Sequence, residues 1–172
     1  GNFFDKYIYE DKDNNQIITT YNTKVKSFPT KIVASLLANG TDITAIKKIS
    51  VEENIFQLEK EYRRIEIAQA ITSRLKNIDP LIINKIANGT TEISKLLVVY
   101  IIMKHNRLFF EFINEVYREK IILRESTIKD KDFNIFFNRK KEESEKVNGW
   151  SEHTFKKLKN VFTIILVDSG MG

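Results

Sequence analysis

Leu96-Leu97-Val98-Val99-Tyr100-Ile101-Ile102-Met103 is a run of eight apolar residues without interruption, bracketed by Lys95 and Lys104. The stretch around it, Thr91 to Lys120, organises the reading of the whole chain. A helix through Ile93 to Met103 has no polar face, so it needs other helices around it. Eight residues fall well short of the ~20 that a membrane-crossing helix needs, and the run reads as the buried central helix of a globular domain. A β-strand is the alternative that short apolar runs leave open. His105 and Asn106 end the run, and Asn106 is placed to cap the next helix. There Leu108, Phe109, Phe112, Ile113, Val116 and Tyr117 share one side, while Glu111, Glu115, Arg118 and Glu119 lie largely on the other.

Composition supports helices. Prolines number two and glycines six in 172 residues, few for the turns that strands need, while Lys, Glu, Ile, Leu and Asn are abundant. Basic residues exceed acidic ones by 28 to 23, with the surplus spread along the chain. That permits contact with a polyanion without demanding it. The absence of cysteine excludes disulfides and thiolate metal sites and agrees with a cytoplasmic location. No signal peptide or spanning segment is visible. Gly1 reads as a residue left by tag removal, and Asp168-Ser-Gly-Met-Gly172 as a boundary that cuts the chain short.

In chain order, residues 1–26 form an N-terminal extension. Within it Phe3, Phe4, Tyr7, Ile8 and Tyr9 suggest a short helix, Asp11 to Asn15 a turn and Gln16 to Thr20 a small strand. Residues 27–89 form a first helical subdomain. Pro29 opens a helix, Asn39-Gly40 stops it, Thr41 or Asp42 caps a second, and Ser50 and Glu53 have the capping-box spacing of a further helix start. A break near Gln57 to Lys60 precedes a longer helix. Tyr62, Ile65, Ala68, Thr72 and Leu75 then form one face, with Lys60, Arg63 and Arg74 opposite. Two short helices followed by a longer one with outward basic residues is the order of a helix-turn-helix module, although the same stripe also suits a solvated face. Asp79-Pro80 and Asn88-Gly89 bound another compact helix.

Residues 90–172 form the second helical subdomain, built on the central helix. A polar link runs from Arg124 to Lys131. Phe133, Ile135, Phe136 and Phe137 mark a short helix, and Arg139 to Lys146 is a charged run expected to be solvated. Ser151 caps a last helix whose apolar side is Phe155, Leu158, Val161, Phe162 and Ile165, with His153, Lys156, Lys157 and Asn160 opposite. The β-branched Val161 to Val167 leaves a terminal strand as the alternative.

Catalytic patterns are missing: no phosphate-binding glycine loop, no nucleophile elbow, no paired-histidine metal motif. His105 and His153 stand far apart without spaced carboxylates. Glu111 and Glu115 could serve a metal inside a bundle, but with no histidine partner they read as a solvated face. The chain therefore reads as a non-enzymatic module with no cofactor and no metal.

Several short motifs in order resemble the BrxA family of BREX phage-defence systems. They are Glu53-Asn54-Ile55-Phe56-Gln57, Arg74-Leu75, Phe112-Ile113-Asn114-Glu115-Val116-Tyr117-Arg118-Glu119-Lys120, Asp132-Phe133 with Phe136, and Trp150-Ser151-Glu152-His153-Thr154-Phe155-Lys156-Lys157-Leu158-Lys159. The chain departs from the family at Leu58 to Tyr62, where a serine- and threonine-rich stretch is common, and in ending at Gly172. The resemblance implies an all-helical, two-part protein, likened to the antitermination factor NusB, that binds double-stranded DNA beside other BREX proteins. Lys60, Arg63, Arg74, Lys156, Lys157 and Lys159 would then meet phosphates, which fix position without reading sequence. A protein scaffold within the same system and an RNA-binding module are the alternatives.

Overall fold

The computed structural model of the chain describes residues 9–21 and 28–172, and every regular element among them is helical. Two compact units result, one of Thr19–Ile101 and one of Gly1–Ile18 with Ile102–Gly172. These boundaries differ from the expected division into 1–26, 27–89 and 90–172, because the chain passes between units inside two helices. One is α1 (Asp11–Tyr21), the other α6 (Thr91–His105).

In the unit Thr19–Ile101, Pro29 fixes the first turn of α2 (Pro29–Ala38). Gly40, at φ 97°, closes its end: Gly40 N donates to Leu37 O and Thr41 N to Leu36 O, the paired bonds of a Schellman turn. Asp42 caps a 3-10 turn, Ile43–Ala45, that leads into α3 (Ile46–Glu53). The expected helix start at Ser50 is instead the end of α3. Ser50 is buried and donates to Ile46 O at 2.7 Å, and Asn54 then turns left-handed. After the expected break come α4 (Glu61–Leu75) and α5 (Pro80–Asn88), the latter capped by Asp79. Helix α2 packs on α5 and α4, and α3 packs on α4, around Val33, Ala34, Ile46, Phe56, Ile67, Ile71, Leu75 and Ile86. Lys31 of α2 ties this unit by donating to Gly89 O and Ser94 Oγ at 2.9 and 2.8 Å. Gly89 is required by crowding: a Cβ there would lie 2.4 Å from Lys85 O.

Helix α6 has the expected extent but is not enclosed on every side. Ser94, Val98, Val99, Ile101 and Ile102 are buried, whereas Ile93, Leu96 and Tyr100 are 50, 49 and 37% exposed.

The other unit begins with the first residues of α1. Asp11 to Asn15 and Gln16 to Thr20 are helical, in place of the expected turn and strand. Acidic Asp11 and Asp13 suit the first turn, and Asn14 and Ile17, one turn apart, are buried. The expected helix over Phe3 to Tyr9 lies mostly outside the described residues. Asn106 caps α7 (Arg107–Phe112) by accepting from Phe109 N. The helix continues through a π-helical turn, Ile113–Tyr117, into α8 (Arg118–Ile122). Next come α9 (Asp130–Glu143), the short α10 (Glu145–Asn148) and α11 (Glu152–Asp168), so Val161 to Val167 is helix and not strand. Phe109, Phe112, Phe133, Phe136, Phe137, Phe155 and Phe162 form a connected aromatic core.

Candidate nucleic-acid interface

Helix α11 separates its residues by chemistry. Phe155, Leu158, Val161, Phe162 and Ile165 are all buried, as their spacing requires, and Ser151 accepts a hydrogen bond from Thr154 N at the start. The opposite side is therefore turned to solvent, where His153, Lys156 and Asn160 are exposed and Lys157 is half-buried. Among the described residues neither Lys156 nor Lys157 has a carboxylate partner. Lys159 does: its Nζ lies 3.4 Å from Asp130 Oδ1, which partly neutralises it.

The basic stripe expected on α4 is a different matter. Lys60 is exposed at the helix start, 5.8 Å from the centre of the Tyr62 ring. Arg63 bonds Glu66 Oε2 at 2.6 Å and is largely covered. Arg74 does not face outward at all; it is 4% exposed. The error is one of helical phase. Ile67, Ala68, Ile71 and Leu75 are the buried positions, while Tyr62, expected on the apolar face, is 55% exposed. Arg74, three residues after Ile71 and seven after Ile67, continues the buried stripe. Neighbouring Arg64 holds the preceding loop by donating to the carbonyls of Leu58, Val51 and Glu59, a role that no local sequence pattern signals.

The matching family model is BrxA, and it covers residues 20–171. The chain belongs to the BrxA family. It is 44% identical to a protein of Bacillus cereus (strain H3081.97) named BREX protein BrxA, over 87% of this chain and 78% of the relative. A crystal structure of an uncharacterized protein from Magnetospirillum magneticum shares the fold at a TM-score of 0.73, covering 94% of this chain and 79% of that one, with 21% sequence identity.

This BrxA-family chain also holds a charged centre that sequence reasoning placed in solvent. Lys140 is 3% exposed, and its Nζ lies 2.7 Å from Glu111 Oε2, 2.6 Å from Glu115 Oε2 and 3.2 Å from Glu143 Oε2. Arg107 Nε donates to Glu111 Oε1 at 2.8 Å, and the Tyr9 hydroxyl donates to Glu111 Oε2 at 2.5 Å. The guanidinium of Arg107 lies over the Tyr9 ring. Burial alone would push the Glu111 carboxyl up, but the hydrogen bonds from Lys140, Tyr9 and Arg107 outweigh it and hold it below the ordinary range. Burial would lower Lys140, and the bonds to Glu111 and Glu115 reverse that as well, leaving it raised. Burial, then the bond to Glu111, raises the Tyr9 phenol. Glu111 and Glu115 are thus occupied in neutralising a lysine, not free to hold a metal and not a solvated pair. Among the described residues no group of three or more metal-ligating side chains is gathered, and no described helix is long and apolar enough to cross a membrane.

Proposed function

We propose that the chain is a non-enzymatic, double-stranded-DNA-binding component of a BREX phage-defence system, working in the cytoplasm beside other BREX proteins. One observation carries the DNA reading: the outward side of α11 presents Lys156 and Lys157 without carboxylate partners among the described residues, opposite a stripe that is entirely buried. Unpaired ammonium groups on a rigid helix lose little when they displace counterions from phosphates, and such contacts give affinity without sequence preference. Lys159 adds to this face if its bond to Asp130 yields. Lys60 and Arg63 are a secondary contact in the other unit, in keeping with a helix-turn-helix-like use of α4, and Arg74 has no part in it. The BREX assignment comes from the name of the Bacillus cereus relative.

The test is a gel-shift or anisotropy titration of duplex DNA at several salt concentrations. Affinity should fall by about 0.9 log units per log unit of salt for each phosphate neutralised. Lys156→Glu with Lys157→Glu should weaken binding to unrelated sequences alike and flatten that slope by about two. The control is Lys47→Glu with Lys48→Glu, an exposed pair on α3 with the same charge change. Equal losses from both pairs would mean diffuse attraction by net charge. Full binding by both would leave the scaffold reading in place. Selective competition by single-stranded RNA would favour the RNA-binding alternative.

A further inference from the structure

The lysine face of α11 has a neighbour in α9. The two helices run antiparallel, because the end of α9 meets the start of α11 and the start of α9 meets its middle. Lys141 Nζ lies 3.4 Å from Glu152 Oε1 and Lys159 Nζ 3.4 Å from Asp130 Oδ1, and between these bridges the Phe137 and Phe155 rings are 5.0 Å apart. Asp130 and Lys141 are eleven residues apart, about three helical turns, so one row of α9 follows the seam. Asn134 and Asn138 continue that row at intervals of four, and both are exposed. On α11 the matching row is Glu152, Lys156 and Lys159, at intervals of four and three. Exposed Lys156 therefore stands between the two bridges, on the side of α11 that adjoins α9. Lys131 is exposed three residues before Asn134 and adds an ammonium at the Asp130 end; among the described residues it has no carboxylate partner.

Such a seam suits a phosphate backbone. Ammonium groups supply the charge, and side-chain amides donate the further hydrogen bonds that fix position. Asp130 is the odd member, since its carboxylate sits on Lys159 as a phosphate oxygen would. Its side chain is 83% exposed, and a pair so open to water contributes little and exchanges readily. We propose that the DNA surface is this two-helix seam, to which α9 contributes Lys131, Asn134 and Asn138, and that Asp130 competes with phosphate for Lys159 and so holds the affinity down. The inference rests on the DNA reading of α11 and adds a second helix and an internal competitor to it.

The salt-series titration of the whole chain on duplex DNA tests it. Asp130→Asn should tighten binding about 5- to 10-fold at about 0.1 M salt and steepen the salt slope by about 0.9, the increment of one more neutralised phosphate. In a Lys159→Gln background the same substitution should gain about 2-fold or less, because no lysine is left to release. Lys131→Gln should weaken binding about 5- to 10-fold and flatten the slope by about 0.9. Asn134→Ala with Asn138→Ala should weaken binding and leave the slope unchanged, since neutral amides release no counterions. Glu52→Gln, at an exposed position on α3, makes the same charge change as Asp130→Asn and should shift affinity by less than about 2-fold. Circular dichroism should be unchanged throughout. The seam is overturned if Asp130→Asn gains no more than Glu52→Gln, if it gains equally with and without Lys159, or if Lys131→Gln binds like the unaltered chain. Any of these beside a loss on Lys156→Glu with Lys157→Glu leaves the α11 reading standing alone, whereas an unaltered chain that binds no duplex overturns both.

Discussion

Lys140 shows what a charged residue means when position and neighbours disagree. It stands in the run Arg139 to Lys146, which composition places in solvent, yet it continues the spacing of Phe133, Phe136 and Phe137 and lies on the buried side of α9. Helical phase alone could have found it, as it could have found Arg74. What single-sequence reading could not supply was the partner, since Glu115 and Lys140 are 25 residues apart and meet only in the folded unit. Lys140→Met should cost ~3–5 kcal/mol in urea denaturation, because it removes the buried ammonium that neutralises Glu111, Glu115 and Glu143. Lys48→Met, at an exposed position on α3, should change stability by less than ~0.5 kcal/mol. The pH dependence follows from the directions. Glu111 is lowered in the folded state, so its contribution is present above its ordinary value of 4.5 and is lost as pH falls through the folded value. Lys140 is raised, so its contribution is present below 10.5 and is lost only in strong alkali. Asp13 has the opposite sign. Burial, then Glu10, raises it to about 6, so it costs stability at neutral pH and the cost fades as pH falls toward 3.8. Asp13→Asn should therefore raise the melting temperature at pH 7, with the gain shrinking by pH 4; an equal gain at both would show that Asp13 is not raised.

At the scale of the element, caps and stops were the readable part. Pro29, Asn39-Gly40, Asp42, Asp79-Pro80, Asn106 and Ser151 all act where their local chemistry places them, since a cap depends only on residues within one turn. Ser50 failed because the same side chain serves equally well inside a last turn, bonding backward to Ile46 O. Helix α6 failed in degree: an unbroken apolar run has no contrast from which to read a face. Its faces can be told apart by mutation. Ile101→Asp should abolish cooperative unfolding followed by circular dichroism, and Leu96→Asp should fold with nearly native stability. At Gly89, alanine should lower stability by ~1–3 kcal/mol, because the added methyl meets Lys85 O at 2.4 Å in a backbone conformation that alanine otherwise accepts.

For the whole molecule, the all-helical class followed from composition and capping, but the division into units did not. The boundary expected at Asn88 to Thr91 is a break in local structure, whereas compact units are set by long-range contact, and a helix can run through such a border without showing it in sequence. The N-terminal residues made this harder to see. Tyr9 and Asp11 join the C-terminal unit through Glu111 and through Trp150, whose indole N–H donates to Asp11 at 2.9 Å. These bonds predict that Tyr9→Phe destabilises the unit of Ile102–Gly172, seen as faster amide exchange in α7 and α9, while exchange in α3 and α4 stays unchanged.

That long return has a consequence during synthesis. Tyr9 and Glu111 are separated by 102 positions, and at ~5–20 residues per second a ribosome makes Tyr9 roughly 5–20 s before its acceptor exists. Residues Thr19–Ile101, by contrast, have all their own contacts available as soon as they emerge. The nascent chain can therefore complete Thr19–Ile101 first, while Tyr9 stays in water until α7 has been made.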